Sequence, residues 1–160
     1  MKMEDQKARI AKLKALAASC GGSLTEVSKE DFREMESERS LVRAPFTSEL
    51  LGINFHTKEV IFAGKVGESS IIHEMGHVFA TDQEPRYATE WDFFGWEYAM
   101  ARHIGLPVKT WLNSNADYGV NDGQDLSTLN DRQICAMIHD RVRVARKAGI
   151  VKGFKPLAVR

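Results

Sequence analysis

Ile71-Ile72-His73-Glu74-Met75-Gly76-His77-Val78-Phe79 is the stretch on which the reading of this chain turns. It fits the pattern His-Glu-x-x-His. On a helix, residues four apart lie about 40° apart around the axis, so the imidazoles of His73 and His77 point the same way and can share one ion. Glu74 lies about 100° from His73, near enough to reach a water on that ion without being a ligand. Imidazole nitrogen suits zinc, and an open coordination position leaves room for water. With this chain's His and Glu content the pattern arises by chance on the order of once per hundred such sequences, so its surroundings matter. Ile71, Ile72, Met75, Val78 and Phe79 fall on the half of the helix opposite His73. The expectation is a helix with its back in a core and its His73/His77 stripe turned to a cleft. The plain alternative is a helix with two surface histidines.

A third ligand is sought downstream. Glu97 follows His77 by twenty residues. On a helical projection Phe93, Phe94, Met100, Ala101 and Ile104 fall within about 60° of it. A carboxylate inside an apolar stripe is costly to bury unless it is paired or bound to metal, which makes Glu97 the favoured third ligand; an arginine partner is the alternative. Glu90 is the rival, on the same face but in the first turn of its helix, where the helix dipole alone explains a carboxylate. His103 projects about 240° from Glu97, beside Trp96 and Arg102, and is expected to face away. His56 is expected at an exposed turn. His139, Tyr87, Tyr98 and Tyr118 are candidates for stabilising an oxyanion, with no spacing that selects among them.

Around this centre the chain reads as a short α+β domain. Residues 3–19 carry Ile10, Leu13, Leu16 and Ala17 at helical spacing and end at Gly21-Gly22. Residues 23–28 alternate as a strand does, and 30–40 form a short helix or an exposed loop. Leu51–Phe55 and Glu59–Ala63 read as two strands of a hairpin across His56-Thr57-Lys58, closed by Gly64 and Gly67. The His-Glu helix spans about 69–80 and is followed by a loop over 81–88. Thr89, with Asp92, caps a second helix that runs to His103 and stops at Gly105 and Pro107. A loop over about 113–126 leads to a last helix at about 129–148, with Ile134, Met137, Ile138, Val142 and Ala145 as its buried face.

The bulk properties agree with a globular chain. It has 160 residues, 43% hydrophobic and 28% charged, with 22 basic and 22 acidic residues. That length suits one domain over 1–160, and the balanced charge gives no support to a general phosphate-binding surface. Cys20 and Cys135 lie far apart in no metal-like spacing and read as free thiols. The charged N-terminus has no apolar leader and no run reaches membrane-spanning length, so a cytoplasmic location is expected. From Arg141 onward there are seven basic residues and no acidic one. This segment, in the helix and tail at about 129–160, reads as a solvated face, with a nucleic-acid or acidic partner as the alternative.

These residues resemble the zincin metallopeptidases, and among them the gluzincins, whose third ligand is a glutamate on a downstream helix. The spacing from His73-Glu74-x-x-His77 to Glu97 is similar to that of thermolysin-like peptidases. The order of elements resembles more closely the minimal ImmA/IrrE-type metallopeptidases, in which a strand pair precedes His-Glu-x-Gly-His and the glutamate-bearing helix ends near a proline, here Pro107. Ile72–Ala80 followed by Phe93–Ala99 also resembles short HExxH proteins encoded by phages and prophages. The likeness covers about residues 50–107. Ala101 stands where thermolysin-like enzymes place an aspartate, and Glu90-Trp91-Asp92-Phe93 departs from the second helix usual in ImmA/IrrE-type chains. The resemblance implies a small zincin-like α+β fold in which a short hairpin or sheet packs on the His-Glu helix and a second, ligand-bearing helix, with N- and C-terminal helices. It implies Zn2+ on His73, His77 and Glu97, and a metal-activated water with Glu74 as general base. The substrate would be a polypeptide, one dedicated protein in chains this small, and the hairpin strand before the catalytic helix is expected to pair with it. The competing class is a non-catalytic zincin-fold protein that binds a regulatory or nucleic-acid partner through its basic C-terminal segment.

Overall fold

The computed structural model describes residues 3–44, 47–79, 94–107, 110–111, 129–130, 132–134, 136–137, 139–140 and 143, with the backbone alone at 3, 94 and 95. It is an α+β structure. The chain divides into two compact units, Met1–Phe79 and Ala80–Arg160, and each is described by itself.

In the first unit, α1 (Met3–Ser19) is followed by β1 (Ser23–Val27), α2 (Lys29–Ser37), β2 (Val42–Arg43), β3 (Leu50–Asn54), β4 (Glu59–Ala63) and α3 (Glu68–Phe79). Helix α1 ends as expected at Gly21, whose φ of 81° is the left-handed conformation that glycine adopts without a Cβ penalty. The Gly22 amide then reaches back to the Ala17 carbonyl at 3.0 Å. The charge-rich run after β1 is a helix because Ser28 caps it, its hydroxyl accepting the Asp31 amide at 3.0 Å.

The sheet order is β1-β4-β3-β2. The hairpin forms, its first strand one residue earlier than read, at Leu50–Asn54, with Asn54 opposite Glu59 and Leu50 opposite Ala63. Asn54 tightens its turn by accepting the amides of His56 at 3.0 Å and Thr57 at 3.2 Å. The pairing of β1 parallel to β4, from Ser23 opposite Glu59 to Val27 opposite Ala63, is a long-range crossover. It corrects one expectation. The strand before α3 is β4, and β4 is interior, hydrogen-bonded to β1 on one side and to β3 on the other. Its backbone groups are already used, so it cannot add an extended peptide; the outer strands of this sheet are β1 and β2.

Val60, Ile61, Phe62 and Ala63 are all buried, so β4 is covered on both faces. Ile61 and Ala63 join Phe32 and Leu41 in a core cluster on the α2 side. On the other side α3 packs on β3 and β4 and against α1. Leu13 and Ala17 of α1 and Ile71, Ile72 and Met75 of α3 are fully buried. Burial of an aliphatic side chain of this size is worth about 1.5–3 kcal/mol, so α3 is anchored by its hydrophobic back.

In the second unit, α4 (Phe94–Ile104) carries Trp96, Glu97, Tyr98, Met100, Ala101 and Ile104, all buried. It stops where expected, at Gly105 with φ 77°, and the Leu106 amide returns to the Ala101 carbonyl at 2.9 Å. The ring of Tyr98 stands edge-on to that of Trp111 at 5.9 Å. Residues 132–134, 136–137, 139–140 and 143 are helical, within the last helix read from the sequence, and Ile134 of its expected apolar face is buried. The start of the second helix at Thr89, the loops over 81–88 and 113–126, Cys135 and most of the basic segment lie outside the described residues. Among the described residues no helix is long and apolar enough to cross a membrane.

Candidate functional site

Helix α3 gathers the three residues of the His-Glu motif on one face. The Nε2 atoms of His73 and His77 lie 3.2 Å apart. Their ring centroids are 4.8 Å apart and the rings stand nearly perpendicular. Two nitrogen ligands on a tetrahedral zinc, each about 2.0–2.1 Å from the ion, are about 3.4 Å from one another. The pair therefore fits the spacing one such ion requires. The same distance also suits a hydrogen bond between one protonated and one unprotonated ring nitrogen, with direction set by the tautomers.

The histidine face is less open than its sequence suggests. His73 is 5% exposed and Glu74 8%, while His77 is half-buried. The Ile71, Ile72 and Met75 side buries as expected, but Val78 and Phe79 are only half-buried. The helix is thus enclosed nearly all round through Gly76 and opens toward its C-terminal turn. Such enclosure suits a site in which fixed dipoles replace bulk water.

The first turn of α3 is held by groups remote in sequence. Arg9 of α1 meets Glu68 through Nε at 2.8 Å and Nη2 at 2.7 Å, both on Oε1, in a pair whose side chains are 9% and 11% exposed. On another side the Glu49 carboxylate accepts the Gly67 amide at 2.7 Å and the Ser70 hydroxyl at 2.8 Å. The sequence gives no periodic signal for either contact, because the partners lie 59 positions apart in the first and 18 and 21 in the second.

Among the remaining candidates, Glu97 lies in the second unit and is fully buried on α4. Met100, Ala101 and Ile104, the described members of its expected apolar stripe, are buried with it. Tyr98 is buried and accepts a hydrogen bond from Arg102 at 3.3 Å. His103 and Arg102 are exposed, but Trp96, projected to their side, is buried, so α4 is enclosed on more than one face. His56 is exposed at the hairpin turn and His139 is exposed on its helix. Arg143 of the basic segment is exposed and donates to Asp140 at 2.7 Å. Glu90, Tyr87 and Tyr118 lie outside the described residues. Among the described residues no group of three or more His, Cys, Asp or Glu side chains is drawn together; the structure brings together the pair His73 and His77.

No protein-family model, curated protein or solved structure matches the chain.

Proposed function

We propose that the chain is a zinc-dependent metallopeptidase of the zincin type, with His73, His77 and Glu97 holding the metal and Glu74 acting as general base. The observation that supports this most is the 3.2 Å separation of the His73 and His77 Nε2 atoms on a buried helix face that also carries Glu74. The full burial of Glu97 on α4, beside Met100, Ala101 and Ile104, is the setting that the reading expects of its third ligand. When bound, zinc supplies a Lewis acid that lowers the pKa of a water and polarises a carbonyl. Glu74 accepts the proton of the attacking water and delivers it to the leaving amine. The anchored back of α3, with Ile71, Ile72 and Met75, keeps His73, Glu74 and His77 in fixed relation to one another. A polypeptide substrate that adds to the sheet would use an outer strand, since β4 is interior.

The test is elemental analysis of the purified protein beside His73→Ala, Glu97→Ala and Glu90→Ala. The expected result is about one zinc per chain, as for a mononuclear site, lost with His73 or Glu97 and kept without Glu90. A protein that takes up no metal when zinc is supplied would overturn the reading and leave a non-catalytic binding role in front. The catalytic part is tested by Glu74→Gln, which should retain zinc and lose peptide cleavage; a variant that still cleaves removes Glu74 from the mechanism.

A further inference from the structure

We propose that Glu49 is a positioning residue for the histidine pair, fixing the rotation of α3 about its own axis. The proposal rests on the zinc reading above. Glu49 lies just before β3, and its carboxylate grips the start of α3 at two points. Oε2 accepts the amide of Gly67, the residue before the helix, at 2.7 Å, and Oε1 accepts the hydroxyl of Ser70, its third residue, at 2.8 Å. The carboxylate is itself held, since Oε1 also accepts the Thr47 hydroxyl at 3.0 Å.

The direction of this grip matters. On a projection of α3 with His73 at 0°, His77 lies at about 40°, Ser70 at about 60° and Glu74 at about 100°. Glu49 therefore holds the helix on the face that carries the proposed chemistry. Glu68, held by Arg9, projects at about 220°, on the other side of the same turn. One contact leaves a helix free to pivot; contacts on opposite sides of one turn do not. The histidine Nε2 atoms stand roughly 7 Å from the axis, so a rotation of about 10° carries them about 1 Å, beyond the roughly 0.5 Å that a preorganised site tolerates.

A cap for stability alone would be simpler. Serine, threonine, asparagine or aspartate at position 67 would cap the helix locally by accepting the amide of Ser69 or Ser70. The position has room for one: a Cβ on Gly67 meets only Glu49 Oε2, at 3.7 Å, an ordinary contact. Glu49 instead takes the Gly67 amide and the Ser70 hydroxyl from 18 and 21 residues earlier, just before a sheet strand, and so ties the orientation of α3 to the sheet.

The double variant Glu49→Ala/Gly67→Ser separates the two roles, because it supplies a local cap and removes the tie to β3. Cobalt(II) titration, read by its visible d–d absorption, is compared with the thermal midpoint of each protein. The expected result is that the double variant recovers most of the stability lost in Glu49→Ala but binds cobalt about ten-fold or more weakly than the parent, with an altered d–d band. Parent-like affinity and band in the double variant would show Glu49 to be only a cap and overturn the proposal. If the double variant does not fold, Ser70→Ala, which removes one of the two grips, takes its place. It should shift the band and weaken cobalt binding about three-fold, and an unchanged titration would overturn the proposal equally. A parent protein that binds neither cobalt nor zinc brings down the zinc reading itself, a failure distinct from a parent that binds and variants that match it.

Discussion

Gly22 has no room for a side chain. A Cβ there would come within 2.2 Å of the Lys58 carbonyl and 2.6 Å of the Phe79 ring. Lys58 is pinned, because its carbonyl accepts the Ser23 amide at 3.1 Å where β1 begins beside β4. Phe79 ends α3, two residues beyond His77. The turn after α1 and the end of the histidine helix thus meet across a hydrogen atom. Gly22→Ala should cost about 1–3 kcal/mol by overpacking. Its neighbour differs in mechanism: a Cβ on Gly21 meets nothing within 4 Å, but its φ of 81° strains any side chain, so Gly21→Ala should cost about 1–2 kcal/mol through the backbone alone. Urea denaturation of both variants measures these losses. Repacking at Phe79 should lower zinc affinity in Gly22→Ala and leave it unchanged in Gly21→Ala, and equal zinc affinities would show that the contact does not reach the site. Sequence shows that Gly21-Gly22 ends a helix, but not which glycine bends the chain and which admits a neighbour, because the neighbours come from 36 and 57 positions away.

At the scale of elements, what was legible followed from short-range chemistry. Helix α1, the hairpin and the stop of α4 at Gly105 match their sequence signals because period, turn residues and left-handed glycines act within a few positions. The N-terminal bound of α3 moved by one residue, to Glu68, and Ala80, its expected last residue, lies outside the described residues. The Arg9–Glu68 pair between α1 and α3 was not legible, since Arg9 reads as one more polar residue of a surface helix. Breaking a buried pair by removing one partner leaves a charge uncompensated and typically costs about 3–5 kcal/mol, whereas replacing both partners by apolar residues is often neutral or better. Arg9→Met should therefore be strongly destabilising, and Arg9→Met/Glu68→Leu should recover most of that loss in chemical denaturation. A double variant as unstable as Arg9→Met would mean that Arg9 matters through contacts other than Glu68.

At the scale of the whole molecule, sequence indicated α+β content and left the order of strands open. The hairpin suggested that β4 lay at an edge; the parallel pairing of β1 places it inside. Pairing between strands so far apart depends on which burial is best for the entire sheet, and no local pattern records it. The candidate site was legible in the same uneven way. Helical spacing places His73 and His77 together, and the 3.2 Å between their nitrogens follows from it. The near-complete burial of His73 and Glu74 does not follow, because it depends on what packs over that face. If the buried His73–His77 pair holds zinc as proposed, metal binding is coupled to folding. A ligand that binds only the folded chain at about 100 times its Kd adds about 2.7 kcal/mol of stability. For a chain of this length that corresponds to a rise in Tm of roughly 5–10 °C. Calorimetry with and without excess zinc should show such a rise in the parent and none in His73→Ala. Glu74→Gln should keep most of the rise, since in the proposed site Glu74 is not a ligand. A rise lost with Glu74→Gln would make Glu74 a ligand and assign the proton transfer to another residue; a parent Tm indifferent to zinc would remove the metal from the folded state altogether.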